Sequence, residues 1–448
     1  MGVLPFMLLS LSLLCTSCKF EQEDYFDETA SLRVTHMNQQ IKQLLVEQSD
    51  TTRGKYGWVI QYFVAGTDDN SFEGFNLFGR FSESGRATLA GNHRYLRNGN
   101  ANRYTEATSN YEMLAEEGPV LSFNTWNDVL TVLEDPVDPA AAPGTLANDG
   151  EGMRGDHNLV FSSLDGDTLT FRGERHSAIS RFVPCDRPWD EYIAAVSDLK
   201  NYISNTTLTS YYVTNGTDTM YFSRLHLGYF NFCDRIVDPL NNKVLSCVFT
   251  PNGLRLHHSE TLGESSFRDF TLAADSSCLV SENGQVKVIP CWDNYLLNRT
   301  AVWNMDESLF SATQQSLLSQ IDAELQKYNS VCSVASIGLG KSSGASSVNG
   351  LVVTFYSNAA KTRTNTFGLS LTTLKTAFGQ VSIQCDASNG IDNNLKAIAT
   401  KAPDMENLMR QFAATLVGTY DITPDNAFLP TGAAYQPVSG GTAFTIAK

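Results

Sequence analysis

The strongest constraint on the fold is a series of short apolar runs, separated by turn residues, between residues 57 and 183. Each run is about five residues long, which is a usual strand length and too short for a helix. Bulky side chains alternate in the first run, so that Trp58, Ile60 and Tyr62 share one face. Asp165-Gly166-Asp167 separates two later runs and is typical of a hairpin turn. About eight strands with local turns and no intervening helix predict an up-and-down meander.

Eight antiparallel strands can close into a small barrel, because closure removes the two exposed edge strands. We therefore predict a β-rich α+β protein: an N-terminal up-and-down antiparallel β-barrel, lipocalin-like, followed by antiparallel sheets with a few packed helices. A sandwich of two sheets is the alternative for the N-terminal part. A barrel of this size is either filled by its own side chains or holds one small ligand.

A helical pattern precedes each of three β-rich stretches of the chain. Apolar residues recur at helical spacing over residues 31–48, and Asp186 can cap a second helix. Ser311 and Gln314 form a capping-box pair ahead of a third helix. We predict a helix plus a β-barrel-like domain over residues 31–185 and a C-terminal α+β region over residues 186–448, with a split near 305 left open.

The N-terminus resembles a secretion signal. Residues 2–14 form an uncharged apolar run that is too short to span a membrane, and Cys15-Thr16-Ser17-Cys18 follows it. We predict a signal peptide over residues 1–17, a lipidated Cys18, and an acidic tether over residues 18–30. No basic residue precedes the apolar run, which departs from the usual signal pattern. A buried N-terminal strand is the alternative.

Charge and cysteine content narrow the classes of partner. The 32 Lys and Arg residues stand against 48 Asp and Glu residues, a net charge of −16. This balance argues against nucleic acid as a partner, since its binding needs a basic face. An odd number of cysteines follows Cys18, so at least one thiol is unpaired. A hairpin at Asn283-Gly284 would place Cys278 opposite Ile289, out of register for a disulfide to Cys291.

The catalytic and metal-binding motifs that we tested do not hold. On a strand, His257 and His258 would point to opposite faces and could not share one metal ion. Gly338–Ser342 resembles a phosphate-binding loop, but Ala335 stands where that motif needs glycine, and no helical pattern follows. Asp165 and Asp167 lack the remaining oxygen ligands of a calcium loop. We therefore expect no catalytic residue, no metal and no cofactor.

The most informative polar and aromatic cluster is Phe123-Asn124-Thr125-Trp126-Asn127. A tryptophan ring can stack on the apolar face of a sugar, and asparagine amides both donate and accept hydrogen bonds. The candidate ligand-binding residues are Phe123, Asn124, Trp126 and Asn127. The alternative is an ordered turn in which Trp126 plugs one end of the barrel.

Several segments resemble a family of Bacteroidota lipoproteins catalogued as domain of unknown function 4302. They are residues 57–63, 74–81, 121–127, 251–256 and 418–426. The Phe123–Asn127 segment is the most specific of them, although the family usually carries tyrosine where this chain has Trp126. The family has no established activity. The resemblance implies an accessory of outer-membrane nutrient import, near transporters of the starch-utilisation type.

The leading hypothesis is a non-catalytic lipoprotein, anchored in the outer membrane and exposed at the cell surface, with the periplasmic face as the other placement. It would bind a nutrient, with a glycan as the first choice, or assist an import complex with a TonB-dependent transporter. One alternative is a carrier of a small apolar ligand or haem inside the N-terminal barrel. The other is a hydrolase with an unrecognised pair of carboxylates.

Overall fold

Three antiparallel sheets follow one another along the chain and are each curved into a barrel or nearly so. The structure is a computed structural model that describes residues 28–65, 74–93, 96, 103–116, 118–135, 153–203, 210–224, 235–238, 243–290, 301–344, 346–377 and 379–448. The helices are α1 (Ala30–Gln48), α2 (Trp189–Ile203), α3 (Ala312–Tyr328), α4 (Asn393–Ala399) and α5 (Met405–Ala414).

The first sheet is a nearly closed barrel, as the strand pattern predicts. Its strands are β1 (Trp58–Phe63), β2 (Phe75–Phe81), β3 (Arg86–Gly91), β4 (Thr105–Asn110), β5 (Glu112–Ala115), β6 (Pro119–Ser122), β7 (Asn158–Asp165), β8 (Thr168–Gly173) and β9 (Ile179–Pro184). Their order in the sheet is β4-β3-β2-β1-β9-β8-β7-β6-β5. Because β1 pairs with β9, the two ends of the meander meet and the sheet curls round on itself.

The seam of the first barrel lies between β4 and β5, which a single residue joins. Tyr111 is buried, and its main-chain N–H donates to the carbonyl of Gly85 at 2.8 Å. The two strands are the halves of one bent strand, since the first half pairs with β3 and the second half with β6. The predicted N-terminal barrel of about eight strands is therefore confirmed, with one strand bent at Tyr111.

The second sheet closes completely. Its strands are β10 (Ser210–Thr214), β11 (Thr219–Arg224), β12 (Arg235–Asp238), β13 (Lys243–Thr250), β14 (Gly253–Leu262), β15 (Ser265–Leu272), β16 (Leu279–Ser281) and β17 (Lys287–Pro290). Each strand pairs with its neighbour in the chain, and β10 pairs with β17, with Tyr212 opposite Ile289. The sequence predicts antiparallel strands here but not their closure.

The third sheet repeats the strand order of the first. Its strands are β18 (Trp303–Met305), β19 (Ser333–Lys341), β20 (Asn349–Tyr356), β21 (Thr364–Ser370), β22 (Thr372–Ala377), β23 (Gln380–Gln384), β24 (Gly418–Pro424), β25 (Gly432–Gly440) and β26 (Phe444–Ala447). The order is β21-β20-β19-β18-β26-β25-β24-β23-β22, so β18 corresponds to β1 and β26 to β9. The seam residue is Leu371, which is buried and donates its N–H to the carbonyl of Asn349 at 3.1 Å.

Strand β1 is buried on both faces, which explains why all six of its residues are inaccessible to solvent. Trp58, Ile60 and Tyr62 belong to the core of the first barrel. Val59 faces outward and packs with α2 and residues of the second barrel. Helix α1 packs against the core on the inner face of β1, where Trp58 Nε1 donates to the carbonyl of Leu45 at 3.1 Å.

Helix α2 lies against the outer face of the first barrel. The ring of Phe78 is 5.6 Å from Trp189 and 5.4 Å from Tyr192, measured between centroids. The indole of Trp189 donates to the carbonyl of Tyr56 at 2.8 Å. The same helix packs on residues of the second barrel. The predicted boundary between residues 185 and 186 falls between β9 and α2, and the third sheet begins at Trp303.

The structure confirms several local predictions made from the sequence. The Asp165–Asp167 segment forms the β7–β8 turn, and Leu279 pairs with Val288 in the register that places Cys278 opposite Ile289. Ser311 and Gln314 form the predicted capping box. The Gly338–Ser342 segment includes the C-terminal end of β19, where a Cβ on Gly338 would clash with the carbonyl oxygen of Trp303. Its glycine thus allows β18 to approach β19.

The prediction that the side chains of His257 and His258 point to opposite faces of a strand is wrong. The register of β14 against β15 shifts between Arg255 and Glu260. This irregularity breaks the regular alternation of side chains, since an extra residue bends the strand locally. The two imidazole rings consequently lie together, with centroids 3.8 Å apart.

The packing of α2 on the first barrel predicts the effect of truncating Phe78. We expect Phe78→Ala to lower the free energy of unfolding by about 3–5 kcal/mol, because a fully buried ring is lost and a cavity remains. Urea denaturation, followed by circular dichroism, measures this change. Leu164→Ala is the matched control, because the Leu164 side chain in β7 is exposed and its loss should cost less than about 0.5 kcal/mol. Equal effects of the two substitutions would contradict this packing.

Candidate functional site

The candidate cluster begins a loop, residues 123–135, that leaves β6 and crosses one end of the first barrel. Phe123 is buried in the core of that barrel, and its N–H donates to the carbonyl of His157 at 3.1 Å. Leu133 lies near the other end of the loop, and its carbonyl accepts the N–H of Gly155 at 2.9 Å. Both ends of the loop are therefore tied to the segment that leads into β7.

Asn127 organises the middle of this loop and has 1% of its surface exposed. Its Oδ1 accepts the N–H groups of Val129 at 3.0 Å and Leu130 at 3.4 Å. Its Nδ2 donates to the carbonyl of Ala107 at 3.2 Å and to Ser109 Oγ at 3.1 Å. An asparagine side chain that pairs with main-chain groups just ahead of it is typical of a tight turn. Asn127 therefore fixes the turn and fastens it to β4.

Aliphatic residues of the loop plug the end of the barrel. Val129, Leu130 and Leu133 belong to its buried core. His93 lies beyond the end of β3, and its Nε2 is 3.0 Å from the carbonyl of Val129. The sequence alternative, in which Trp126 acts as the plug, assigns this role to the wrong residue of the loop.

Trp126 lies on the outside of the loop with 57% of its surface exposed. Its indole Nε1 donates to Asp128 Oδ1 at 2.7 Å. The neighbouring Thr125 Oγ1 accepts the N–H of Asn110 at 2.8 Å, which joins this stretch to the end of β4. The indole thus presents an exposed aromatic surface while its N–H is held by a carboxylate.

Polar side chains of three strands and the loop accompany the indole. Asn124 Nδ2 donates to Glu112 Oε1 at 3.2 Å. Arg86 Nη1 donates to Asn110 Oδ1 at 2.8 Å. Two residues further along β3 and β4, the hydroxyl groups of Thr88 and Thr108 share a hydrogen bond of 3.0 Å. The resulting platform, defined as Trp126, Asn124, Asp128, Glu112 and Asn110, combines an apolar plane with hydrogen-bonding groups of both kinds.

Aromatic side chains fill the interior of the first barrel behind this platform. The rings of Phe171 and Phe182 have centroids 4.9 Å apart, and those of Phe81 and Tyr111 are 5.1 Å apart. Phe81 also lies 6.3 Å from Phe123, which links the filled interior to the loop. These contacts are those of a packed barrel core rather than of a ligand chamber.

Burial changes the acidity of the histidine that holds the plug. Burial lowers the pKa of His93 to about 4, and the hydrogen bond to the carbonyl of Val129 opposes this only in part. His93 is therefore neutral at pH 7, and its Nε2–H donates to that carbonyl.

The structure divides the four sequence candidates into two pairs. Phe123 and Asn127 are buried and hold the loop, so neither presents a surface to a ligand. Asn124 and Trp126 are exposed. Sequence reasoning missed Asp128, Glu112 and Asn110. Asp128, two residues after Trp126, was within reach of the sequence, whereas the other two come from distant strands.

Other sequence predictions lie outside the described residues or concern sites that those residues do not form. The predicted signal peptide, Cys18, most of the acidic tether and Cys291 lie outside the described ranges. Within those ranges, no group of three or more His, Cys, Asp or Glu side chains is placed to hold a metal ion. No described helix has the length and apolar character that a membrane-spanning helix needs.

Removing the Asn127 side chain should loosen the plug. We expect Asn127→Ala to lower the free energy of unfolding by about 2–4 kcal/mol, since it leaves buried N–H groups of Val129 and Leu130 without an acceptor. Chemical denaturation measures this loss. Asn124→Ala, which removes one exposed hydrogen bond, is the control and should change stability by less than about 0.5 kcal/mol. A neutral Asn127→Ala would show that the loop is held by other contacts.

The low pKa of His93 predicts a pH dependence of stability. The pKa of His93 in the folded chain lies below its unfolded value near 6.5. The contribution of neutral His93 to the free energy of unfolding is therefore fully present above pH 6.5 and is lost as the pH falls toward 4. Between pH 7.5 and 5.5 this group alone should cost about 1 kcal/mol of unfolding free energy. Both pH values lie above the isoelectric point near 4.9, so the protein keeps a negative net charge throughout the comparison.

Urea denaturation at these two pH values, for the wild type and for His93→Gln, isolates the contribution of this histidine. The loss of stability on acidification should be smaller in His93→Gln than in the wild type. His36→Gln is the control, because the His36 side chain is largely exposed. An identical pH dependence in the wild type and His93→Gln would contradict the neutral, buried histidine.

Comparisons with known proteins identify a family but no function. No curated protein matches the chain. One solved structure, the DNA polymerase III β chain of Streptococcus pneumoniae, is 9% identical, and the match covers 91% of this chain and 97% of that one. Its TM-score is 0.12, which carries no argument about fold or function.

The family model described as a domain of unknown function, DUF4302, matches residues 22–274. The match covers the first barrel, α2 and the strands of the second barrel as far as β15. It includes the Trp126 platform and leaves out residues 418–426, which also carried the resemblance in the sequence. Since the matched segment is more than half of the chain, this protein belongs to the DUF4302 family.

Proposed function

We propose that this protein is a non-catalytic, surface-exposed lipoprotein that binds a neutral glycan on the Trp126 platform. The observation that carries the proposal is the exposed indole, whose N–H is held by Asp128 among hydrogen-bonding side chains. We further propose that Cys18 carries the lipid anchor and that the protein works beside an outer-membrane nutrient importer of the TonB-dependent class.

The chemistry of a sugar matches this platform. A pyranose has an apolar face of C–H groups, which stacks on an aromatic plane, and a rim of hydroxyl groups. Asn124 can donate to and accept from such hydroxyls, and the Glu112 and Asp128 carboxylates can accept from them. The two carboxylates at the platform disfavour an anionic ligand here. A neutral glycan is therefore the ligand class that we propose.

The fixed geometry of the platform supports binding at low entropic cost. The bond between the indole N–H and Asp128 limits rotation of the ring, while Asn127 and Thr131 hold the loop beneath it. A side chain that is ordered before binding loses less conformational freedom when the ligand arrives. A single exposed apolar residue is common on protein surfaces, so it is this ordering that distinguishes Trp126.

The two alternatives have less support. A carrier needs room inside the first barrel, where the aromatic rings of Phe81, Phe171 and Phe182 are packed together. A hydrolase would need two facing carboxylates with perturbed acidity. Burial raises the pKa of Asp392, but Asp392 Oδ1 accepts the N–H of Leu395 as the N-cap of α4, which is a structural role.

The proposed anchor places the platform within reach of a membrane partner. The tether of residues 18–30, if fully extended, would span roughly 40 Å. Two acyl chains at Cys18 would suffice for stable attachment without a spanning helix. The barrels could then sample the space above a transporter while remaining bound to the membrane.

Substitution of Trp126 tests the proposed function. A glycan array should first identify a neutral glycan that the purified chain binds, and calorimetry should then measure its affinity. We expect Trp126→Ala to weaken that affinity at least about tenfold, because the stacking surface is lost. Trp126→Tyr should retain most of the affinity, since tyrosine keeps an aromatic plane.

Leu164→Ala removes another exposed apolar side chain outside the platform and should leave affinity unchanged. Denaturation curves of each variant should match the wild type, because Trp126 lies outside the core. Unaltered glycan binding by Trp126→Ala, or no binding of any neutral glycan by the wild type, would contradict the proposal.

A further inference from the structure

A second feature lies at the contact between the first and second barrels. The ring of Phe63, on the outer face of β1, stacks on the imidazole of His257 in β14, with centroids 4.6 Å apart. Nearby, Asn76 Nδ2 donates to the carbonyl of Phe249 at 2.7 Å. These contacts join the outer face of the first barrel to the second barrel.

Near this stack, the first barrel contributes Arg181, through its pairing with Gln61, and the second barrel contributes Arg255. Gln61 lies two residues before Phe63 on the same face of β1, and Arg255 lies two residues before His257 in β14. Two residues span about 7 Å along a strand. Gln61 pairs with Arg181 of β9, and its Oε1 accepts from Arg181 Nη1 at 3.3 Å. Arg181 and Arg255 therefore belong to the same region of the contact between barrels.

A third arginine joins them from β15. Arg268 Nη2 donates to the carbonyl of His257 at 2.8 Å, and the neighbouring Asp269 pairs with Arg255 across the sheet. The Asp269 carboxylate contacts the buried guanidinium of Arg255. We call Arg181, Arg255 and Arg268 the arginine seam.

Direct contact with carboxylates neutralises only part of the positive charge of the arginine seam. Asp269 is bonded to Arg255, whereas the Glu282 carboxylate accepts the main-chain N–H groups of Arg268 and Asp269. Asp165 influences Arg181 electrostatically. A guanidinium has five N–H donors, and among the described residues the Arg181 side chain donates to the neutral amide of Gln61. The seam therefore retains donors for a further acceptor.

The electrostatics point in the same direction. Burial lowers the pKa of Arg181 and of Arg268, and in both cases the positive charge of Arg255 is the second cause. Arg181 and Arg268 are thus partly desolvated, and the positive charge of Arg255 repels both. An anion that touched them together would reduce both penalties.

We propose that the arginine seam binds a tetrahedral oxyanion, either free phosphate or sulfate or the corresponding group of an ester. The planar guanidinium fork matches the geometry of two oxygens on such a group, which gives paired and charge-assisted hydrogen bonds. The overall charge of −16 does not prevent this, because fields from distant charges are screened beyond about 10 Å at 0.1 M salt. This site uses none of the platform residues and is independent of the proposed function.

Anion titration of the full purified chain tests the proposal. Sodium phosphate and sodium sulfate are compared with sodium chloride at equal ionic strength by thermal denaturation and by calorimetry. We expect phosphate or sulfate to bind saturably and to raise Tm by at least about 2 °C over chloride. Glucose 6-phosphate and glucose 6-sulfate form separate arms, and tighter binding of an ester than of its free ion would identify the ester as the preferred form.

Variants separate binding at the seam from non-specific effects. Arg181→Gln should weaken binding at least tenfold, and Arg181→Lys should weaken it less, because lysine keeps the charge without the fork. Arg53→Gln is the control, since Arg53 is an exposed residue that pairs with Asp50 away from the seam. Circular dichroism without added anion checks that each variant folds, and Arg181→Lys decides the matter if Arg181→Gln does not fold.

Two results would overturn the proposal. One is an equal rise of Tm in chloride and in the tetrahedral anions at the same ionic strength, which would show a general salt effect. The other is unchanged affinity in the folded Arg181 variants, which would place the anion elsewhere on the protein.

Discussion

The architecture depends on the double burial of β1. Trp58, Ile60 and Tyr62 fill the first barrel from inside, while Val59 and Phe63 pack outward on α2 and the second barrel. A strand that is buried on both faces stabilises two units at once, because each face removes apolar surface from water. Together with α2, which packs on both barrels, and the hydrogen bond from Asn76 to Phe249, this strand fixes the position of the second barrel and hence of the arginine seam.

Closure of the sheets follows a common device in the first and third units. One buried residue, Tyr111 or Leu371, bends a long strand so that its halves pair with different neighbours. The connection after the sixth strand of each unit then packs apolar side chains into the same core as the sheet. In the first unit this connection is the loop with Val129 and Leu130, and in the third it is α4 and α5. The repeated strand order gives a physical basis to the repetition of helix and strands seen in the sequence.

Alternating apolar residues predicted the inner strands well, since β1 and β2 lie where their patterns place them. Two of the missed strands have another chemistry: β4 carries mostly Thr, Glu, Ser and Asn, and β25 is largely exposed. Such strands are specified by their partners in the sheet, because their own side chains bury little apolar surface. At the candidate site, sequence reasoning found the loop but could not separate the buried Asn127 from the exposed Asn124. That difference depends on Ala107 and Ser109, which lie on another strand.

We propose that Trp126 forms an ordered platform for a sugar face, whereas the other described tryptophans, Trp58, Trp189 and Trp303, are buried. Two-dimensional NMR of the chain with ¹⁵N-labelled tryptophan reports each indole N–H separately, and Trp126→Tyr assigns the signal of interest by its disappearance. The account predicts that a bound neutral glycan shifts the Trp126 signal and leaves those of Trp58 and Trp189 in place. A saturating glycan that shifted the buried indoles and left the Trp126 signal unmoved would contradict it.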